Sequence, residues 1–111
     1  MSNIAWAAGV LEGEGCFSIH TRSRTGKQEF AIHCEMTDED VVRRLYNIFL
    51  VGSICYRENK RKDGRTRKPS WIWSVQSKVA ILSVLKQITP YMGYRRQTKI
   101  MEMIKGINES L

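Results

Sequence analysis

Ile4, Ala7, Ala8 and Leu11 recur at i, i+3, i+4 and i+7 behind Ser2 and Asn3, the spacing of a capped helix with one buried face. That helix stops at Gly13-Glu14-Gly15, and from Cys16 the period falls to two. Phe17 and Ile19 alternate with Ser18, His20, Arg22 and Arg24. After a Thr25-Gly26-Lys27 turn, Phe30, Ile32, Cys34 and Met36 alternate with Ala31, His33 and Glu35, which predicts a hairpin with one apolar face. Thr37 to Asp40 cap and acidify the start of a second helix carrying Val41, Leu45, Ile48 and Phe49. The theme then repeats. Ile54 and Tyr56 alternate with Cys55, Arg57 and Asn59, a basic turn runs from Lys60 to Lys68, and Trp71, Trp73 and Val75 alternate with Ser70, Ile72, Ser74 and Gln76. Ile81, Leu85 and Ile88 mark a helix that Pro90 breaks, and Ile100, Met103, Ile104 and Ile107 mark a last one. The order α-ββ-α-ββ-α-α predicts an α+β fold over residues 1–111. Its four-stranded antiparallel sheet has helices on one face and the other face open.

Composition narrows the class. At 111 residues the chain has the size of one domain, and 42% hydrophobic residues with only eight glycines and two prolines exclude a solvated low-complexity chain. Apolar stretches are too short for a spanning helix, which needs roughly 18 residues, and no secretory leader is visible. Cys16, Cys34 and Cys55 are odd in number and lack the spacing of a zinc ribbon. They read as buried thiols of a reducing compartment: cytoplasm, an organelle or a phage-infected cell.

Charge suggests the partner. Eighteen Lys and Arg against eleven Asp and Glu leave +7, which favours a polyanion, nucleic acid before an anionic membrane. Residues 57 to 68 concentrate it, with seven basic side chains against Glu58 and Asp63. Strands of eight or nine residues span roughly 28 Å, the length of about eight base pairs, and a two-stranded ribbon fits a B-DNA major groove. On the open face Ser18, His20, Arg22, Arg24, Arg57, Asn59, Ser74 and Gln76 would meet base edges. Lys27, Arg61, Arg65, Arg67 and Lys68 in the turns suit phosphates.

One stretch breaks local rules. Glu12 and Glu14 stand at the negative end of a helix, each disfavoured by up to about 1 kcal/mol, and Gly9 in mid-helix costs about 1 kcal/mol more against Ala. Such violations cluster at functional sites. Ala5, Ala8 and Gly9 would let a second helix approach closely, and a divalent cation would neutralise acids at the helix end. A Gly-terminated core helix with a solvated glutamate accounts for the same spacing.

The run Trp6-Ala7-Ala8-Gly9-Val10-Leu11-Glu12-Gly13-Glu14-Gly15-Cys16-Phe17 resembles the signature helix of the LAGLIDADG homing endonucleases, in the variant ending Gly-Glu-Gly-Cys-Phe. Ile88-Thr89-Pro90-Tyr91-Met92-Gly93-Tyr94-Arg95-Arg96-Gln97 is similar to the proline-then-basic segment before the family's last helix, and the element order agrees over essentially the whole length. Ala7 stands where leucine is usual and Glu12 where the first aspartate is usual. One copy of the signature implies a homodimer reading a pseudo-palindrome, with Ala5, Ala8, Gly9 and Glu12 at its interface.

The resemblance also implies chemistry. Glu14 matches the metal-ligating acid, with the Gly13 carbonyl as auxiliary ligand, and oxygen donors point to Mg²⁺, with Mn²⁺ as a substitute. Arg95 falls where the family often carries a basic residue that stabilises phosphate charge. Asp38 lies near a position that often organises water, although an N-cap explains it more simply. His20 and His33 lack the spacing of a zinc or HNH site. The expected activity is sequence-specific, metal-assisted hydrolysis of double-stranded DNA. The alternatives are a non-cleaving relative acting on intron RNA as a maturase, a DNA-binding regulator, or a basic structural RNA-binding protein.

Overall fold

The computed structural model describes residues 2–58 and 68–111. Helix α1, Asn3–Glu14, starts as expected with the Ser2 hydroxyl accepting the Ala5 N–H at 3.1 Å. It runs without a linker into β1, Gly15–Thr21, which turns back into β2, Gln28–Met36. Then come α2 (Glu39–Phe49), β3 (Ser53–Arg57), β4 (Ser70–Val75) and α3 (Lys78–Ile88). A single 3-10 turn at Thr89–Tyr91, forced by Pro90, leads into α4, Tyr94–Ser110.

The strands form one antiparallel sheet in the order β1-β2-β4-β3, so the two hairpins join through their inner strands. Residues Phe17, Phe30, Ile32, Cys34, Trp73 and Val75 point to one side and are buried against Ala7, Ala8 and Leu11 of α1, Val42 and Leu45 of α2, Ile81 of α3, and Ile100 and Ile107 of α4. The opposite side carries Cys16, His20, Glu29, Glu35, Ser53, Cys55 and Arg57, all exposed. The α+β architecture, with one covered face and one open face, is therefore as the alternation predicts.

Trp73 anchors the centre. It is fully buried, stacks on Phe49 with ring centroids 5.6 Å apart, and donates its indole N–H to the Val51 carbonyl at 3.0 Å. Gly52 beside it has φ +87°, and a Cβ there would lie 2.5 Å from the Ser74 carbonyl oxygen, so this turn requires glycine.

Three expectations need correction. The strands are shorter than eight or nine residues except for the nine of β2. β1 ends at Thr21; Arg22 N–H still bonds the Lys27 carbonyl, and Gly26 N–H closes the turn on the Arg22 carbonyl. Arg22 and Arg24 thus sit in the turn at the strand's end, where Arg22 still lines the open face beside Ser18 and His20. Cys16 and Cys55 are exposed; only Cys34 is buried, and all three thiols are reduced. Asn59, Arg61, Arg65 and Arg67 lie outside the described residues.

Candidate nuclease site and nucleic-acid face

Gly15 explains how the acids are delivered. Its N–H closes the last turn of α1 on the Leu11 carbonyl, and a Cβ would sit 2.5 Å from that oxygen and 3.1 Å from Leu11 Cα. Only glycine lets the helix become a strand within one residue, leaving Gly13 and Glu14 exposed at the end of the sheet. Gly15 pairs with Cys34 in the ladder. Burial first, and then the Glu14 carboxylate nearby, push the Cys34 thiol up to about 11.

The penalty at Glu12 is offset from outside the helix. Arg96 Nη2 donates to the Glu12 carbonyl at 3.2 Å, and its guanidinium lies 5.4 Å over the Phe17 ring. A Cβ on Gly93, the N-cap of α4, would lie 2.9 Å from Glu12 Oε1, so this carboxylate rests at the positive end of the α4 dipole. Glu12 is exposed and lies beside Gly93 of its own chain. The interface that the resemblance implied at Ala8 is corrected, because Ala8 is fully buried in the chain's own core. Ala5 is half-buried and Gly9 exposed.

The contact at Glu12 sets the first turn of α4, and exposed Arg95 with it, beside the end of α1. Gln97 fixes that turn by donating to the Thr89 and Met92 carbonyls at 3.1 and 3.0 Å. Asp38 occupies the N-cap position of α2, exposed, and its side chain makes no capping hydrogen bond. Among the described residues no three His, Cys, Asp or Glu side chains form a metal cluster. One chain offers a carboxylate and main-chain carbonyls at the end of α1. Such oxygen donors suit a cation that keeps several waters.

On the open face an uncovered cleft of about 690 Å³ gathers Ser18, His20, Arg22, Lys27 and Gln76 from the predicted set. His20, Arg22 and Arg24 also line a smaller recess at the hairpin end. Arg57 stands on the β3 edge, Ser74 is half-buried on β4, and Lys68 is exposed. Arg96, Glu29, His33 and Glu35 are in addition to that set. The alternation that placed Ala31 on the open face already placed the last three there, whereas the contact of Arg96 with α1 spans 84 residues and leaves no local trace.

A family model described as LAGLIDADG endonuclease matches residues 7–106, and the chain belongs to that family. Solved structures share the fold at low identity. The homing endonuclease I-CvuI, in complex with its target in the presence of Ca, superposes with TM-score 0.71 at 19% identity, covering 95% of this chain and 65% of that one. I-GzeII, in complex with a DNA target, gives TM-score 0.74 at 19% identity, with 97% and 36% covered. The group I intron-encoded I-CeuI, complexed with DNA, gives 0.73 at 13% identity, with 96% and 54% covered. The chain thus spans about two thirds or less of these proteins' lengths. No curated protein sequence matches it.

Proposed function

We propose that the chain is a sequence-specific homing endonuclease that cuts both strands of duplex DNA as a homodimer. The carrying observation is α1: its open side presents Gly9 and Gly13, at which a Cβ would meet nothing within 4 Å, and it ends on exposed Glu14. Glycine in a helix costs about 1 kcal/mol against Ala, and nothing among the described residues packs close enough to require either one. A second α1 packed there at close range gives them a reason and brings two Glu14 carboxylates together. Two like charges at that distance stay ionised only with cations between them.

Glu14 and the Gly13 carbonyl would hold the divalent ion, Mg²⁺ or Mn²⁺. When bound, it supplies Lewis-acid charge stabilisation and lowers the pKa of water. Arg95 donates to the phosphate as negative charge builds on it, and Asp38 accepts from water near the strand being cut. The open face lies along the duplex, with Ser18, His20, Ser74 and Gln76 at base edges and Lys27 and Lys68 at phosphates. That complexes of I-CvuI have been solved in the presence of Ca and of Mg supports divalent-ion use by this chain. A reducing compartment suits its three reduced thiols.

The test takes duplexes selected by the protein from a random DNA pool in Ca²⁺, then adds Mg²⁺. Wild type cuts both strands, Glu14→Gln loses roughly 10³-fold or more in rate, and its binding in Ca²⁺ is kept. Selective binding without cutting by wild type would instead support the regulator, and selection of RNA over DNA would support the maturase.

A further inference from the structure

Two carboxylates face outward from β2 on a surface that would bind a polyanion. Glu29 and Glu35 are exposed, and they stand at opposite ends of the row Glu29, Ala31, His33, Glu35. In a chain of net charge +7 they repel the phosphates that the rest of the face attracts. Each is paired with an arginine from a different flank. Arg22 Nε lies 2.8 Å from Glu29 Oε1, and Arg57 Nη1 lies 3.9 Å from Glu35 Oε1. Glu35 is itself fixed, because its second oxygen accepts the Ser70 hydroxyl at 2.5 Å.

Fold stability does not explain these pairs. Their side chains are 63% and 51%, and 60% and 42%, exposed, the regime in which an ion pair contributes little. What a carboxylate does change is the freedom of the arginine. An unpaired guanidinium samples many rotamers and settles on any phosphate within reach; one drawn to a carboxylate by an ion pair is restrained near it, and its N–H groups match the O6 and N7 acceptors of guanine.

We propose that Glu29 and Glu35 determine sequence specificity by holding Arg22 and Arg57 for one guanine each in every half-site. This rests on the DNA-binding reading above. Six residues separate the two glutamates along β2, roughly 20 Å at about 3.3 Å per residue, so the two guanines stand about six base pairs apart. Glu35 lies next to the Cys34–Gly15 pair at the Glu14 end of the sheet, so the guanine of Arg57 is nearer the cut, and that of Arg22 is the outer one.

The probe is a pool of random duplex DNA, selected in Ca²⁺ by full-length protein and sequenced. Wild type enriches two guanines about six positions apart in each half. Glu35→Gln relaxes the inner one by about tenfold or more while binding to unselected duplex strengthens, and Glu29→Gln does the same at the outer one. Arg57→Ala relaxes the same position as Glu35→Gln, and the double variant is no more relaxed than Arg57→Ala alone. The inference is overturned if either glutamate variant weakens all sequences equally, leaves the enriched sequence unchanged, or alters a position that its arginine does not. A wild type that enriches no sequence at all would remove the DNA-binding reading first, and this inference with it.

Discussion

Helices α1 and α2 have 12 and 11 residues and lie under the same sheet, yet they are built on different plans. α2 buries Val42, Leu45 and Phe49 in one stripe and exposes Asp40, Arg43, Arg44, Tyr46 and Asn47, so its apolar stripe is packed within the chain. α1 is apolar on nearly every side. Ala7, Ala8 and Leu11 are buried, Ile4, Ala5, Trp6 and Val10 are half-buried, and the exposed positions in its second half are Gly9, Glu12, Gly13 and Glu14. The outer side of α1 is what the proposed second copy would cover, whereas the stripe of α2 is already packed in its own chain. The difference separates an element that finishes the fold from one that, in the proposed homodimer, would finish an assembly.

The sharpest way to break that comparison is a bulky charge at Gly9. The site is open in the single chain, so Gly9→Arg should leave the monomer's thermal midpoint unchanged or slightly raised, since glycine is a poor helix former. If a second α1 packs there, sedimentation shows one chain where wild type shows two. Cleavage of a selected duplex then falls about a hundredfold or more, because the paired acids lose their register. A variant that still sediments as wild type and still cuts would place the assembly surface elsewhere.

How far this was readable from the sequence differs between the same two helices. For α2 the acidic first turn appears where the sequence puts it, but the stripe is rotated: Leu45 and Phe49 are buried as expected, Val41 and Ile48 are half-buried, and Val42 is the third buried residue. For α1 the cap at Ser2 and the stop at Gly15 are equally local. Its phase is local too: the spacing of Ile4, Ala7, Ala8 and Leu11 puts Ala7, Ala8 and Leu11 on the buried side, where they lie, and only the interface that the resemblance implied for Ala8 fails. Glu12 looked unfavourable because its partners, Gly93 and Arg96, are more than 80 residues away in sequence and meet it only when α4 docks. On the sheet, alternation showed both faces, but it could not show that Arg22 leaves the strand at the turn. Nor could it show that the carboxylates of β2 pair with arginines of its neighbours.

A smaller effect tests where α1 ends relative to the core. Cys34 lies beneath the Gly15 junction with its thiol raised from an ordinary value of 9.0 to about 11, by burial first and by Glu14 second. Below pH 9 folded and unfolded chains both hold this proton. Between 9 and 11 the unfolded chain has lost it and the folded one keeps it, so stability falls as pH rises through that window. The slope from this one group is at most about 1.4 kcal/mol per pH unit. Denaturant midpoints of wild type and Cys34→Ala across pH 8 to 11 should converge as pH rises, with the variant less stable at pH 8 because of its cavity. Parallel curves would mean that the thiol is not held neutral by its surroundings.

The smallest effect concerns a side-chain contact in which the two helices meet through a charge. The Arg44 guanidinium of α2 lies 3.9 Å over the indole of Trp6 in α1, a cation–π contact on the rim of the core. At a half-exposed ring it contributes about 0.5–1 kcal/mol. Arg44→Ala should lower chain stability by that amount, and Arg44→Lys should recover part of it. If α1 and α2 are separate in purpose, sedimentation and the cleavage rate stay at wild-type values in both variants. A loss of assembly from Arg44→Ala larger than its loss of stability would show that α2, through Trp6, sets the angle at which α1 meets its partner. The two helices would then have to be treated as one unit.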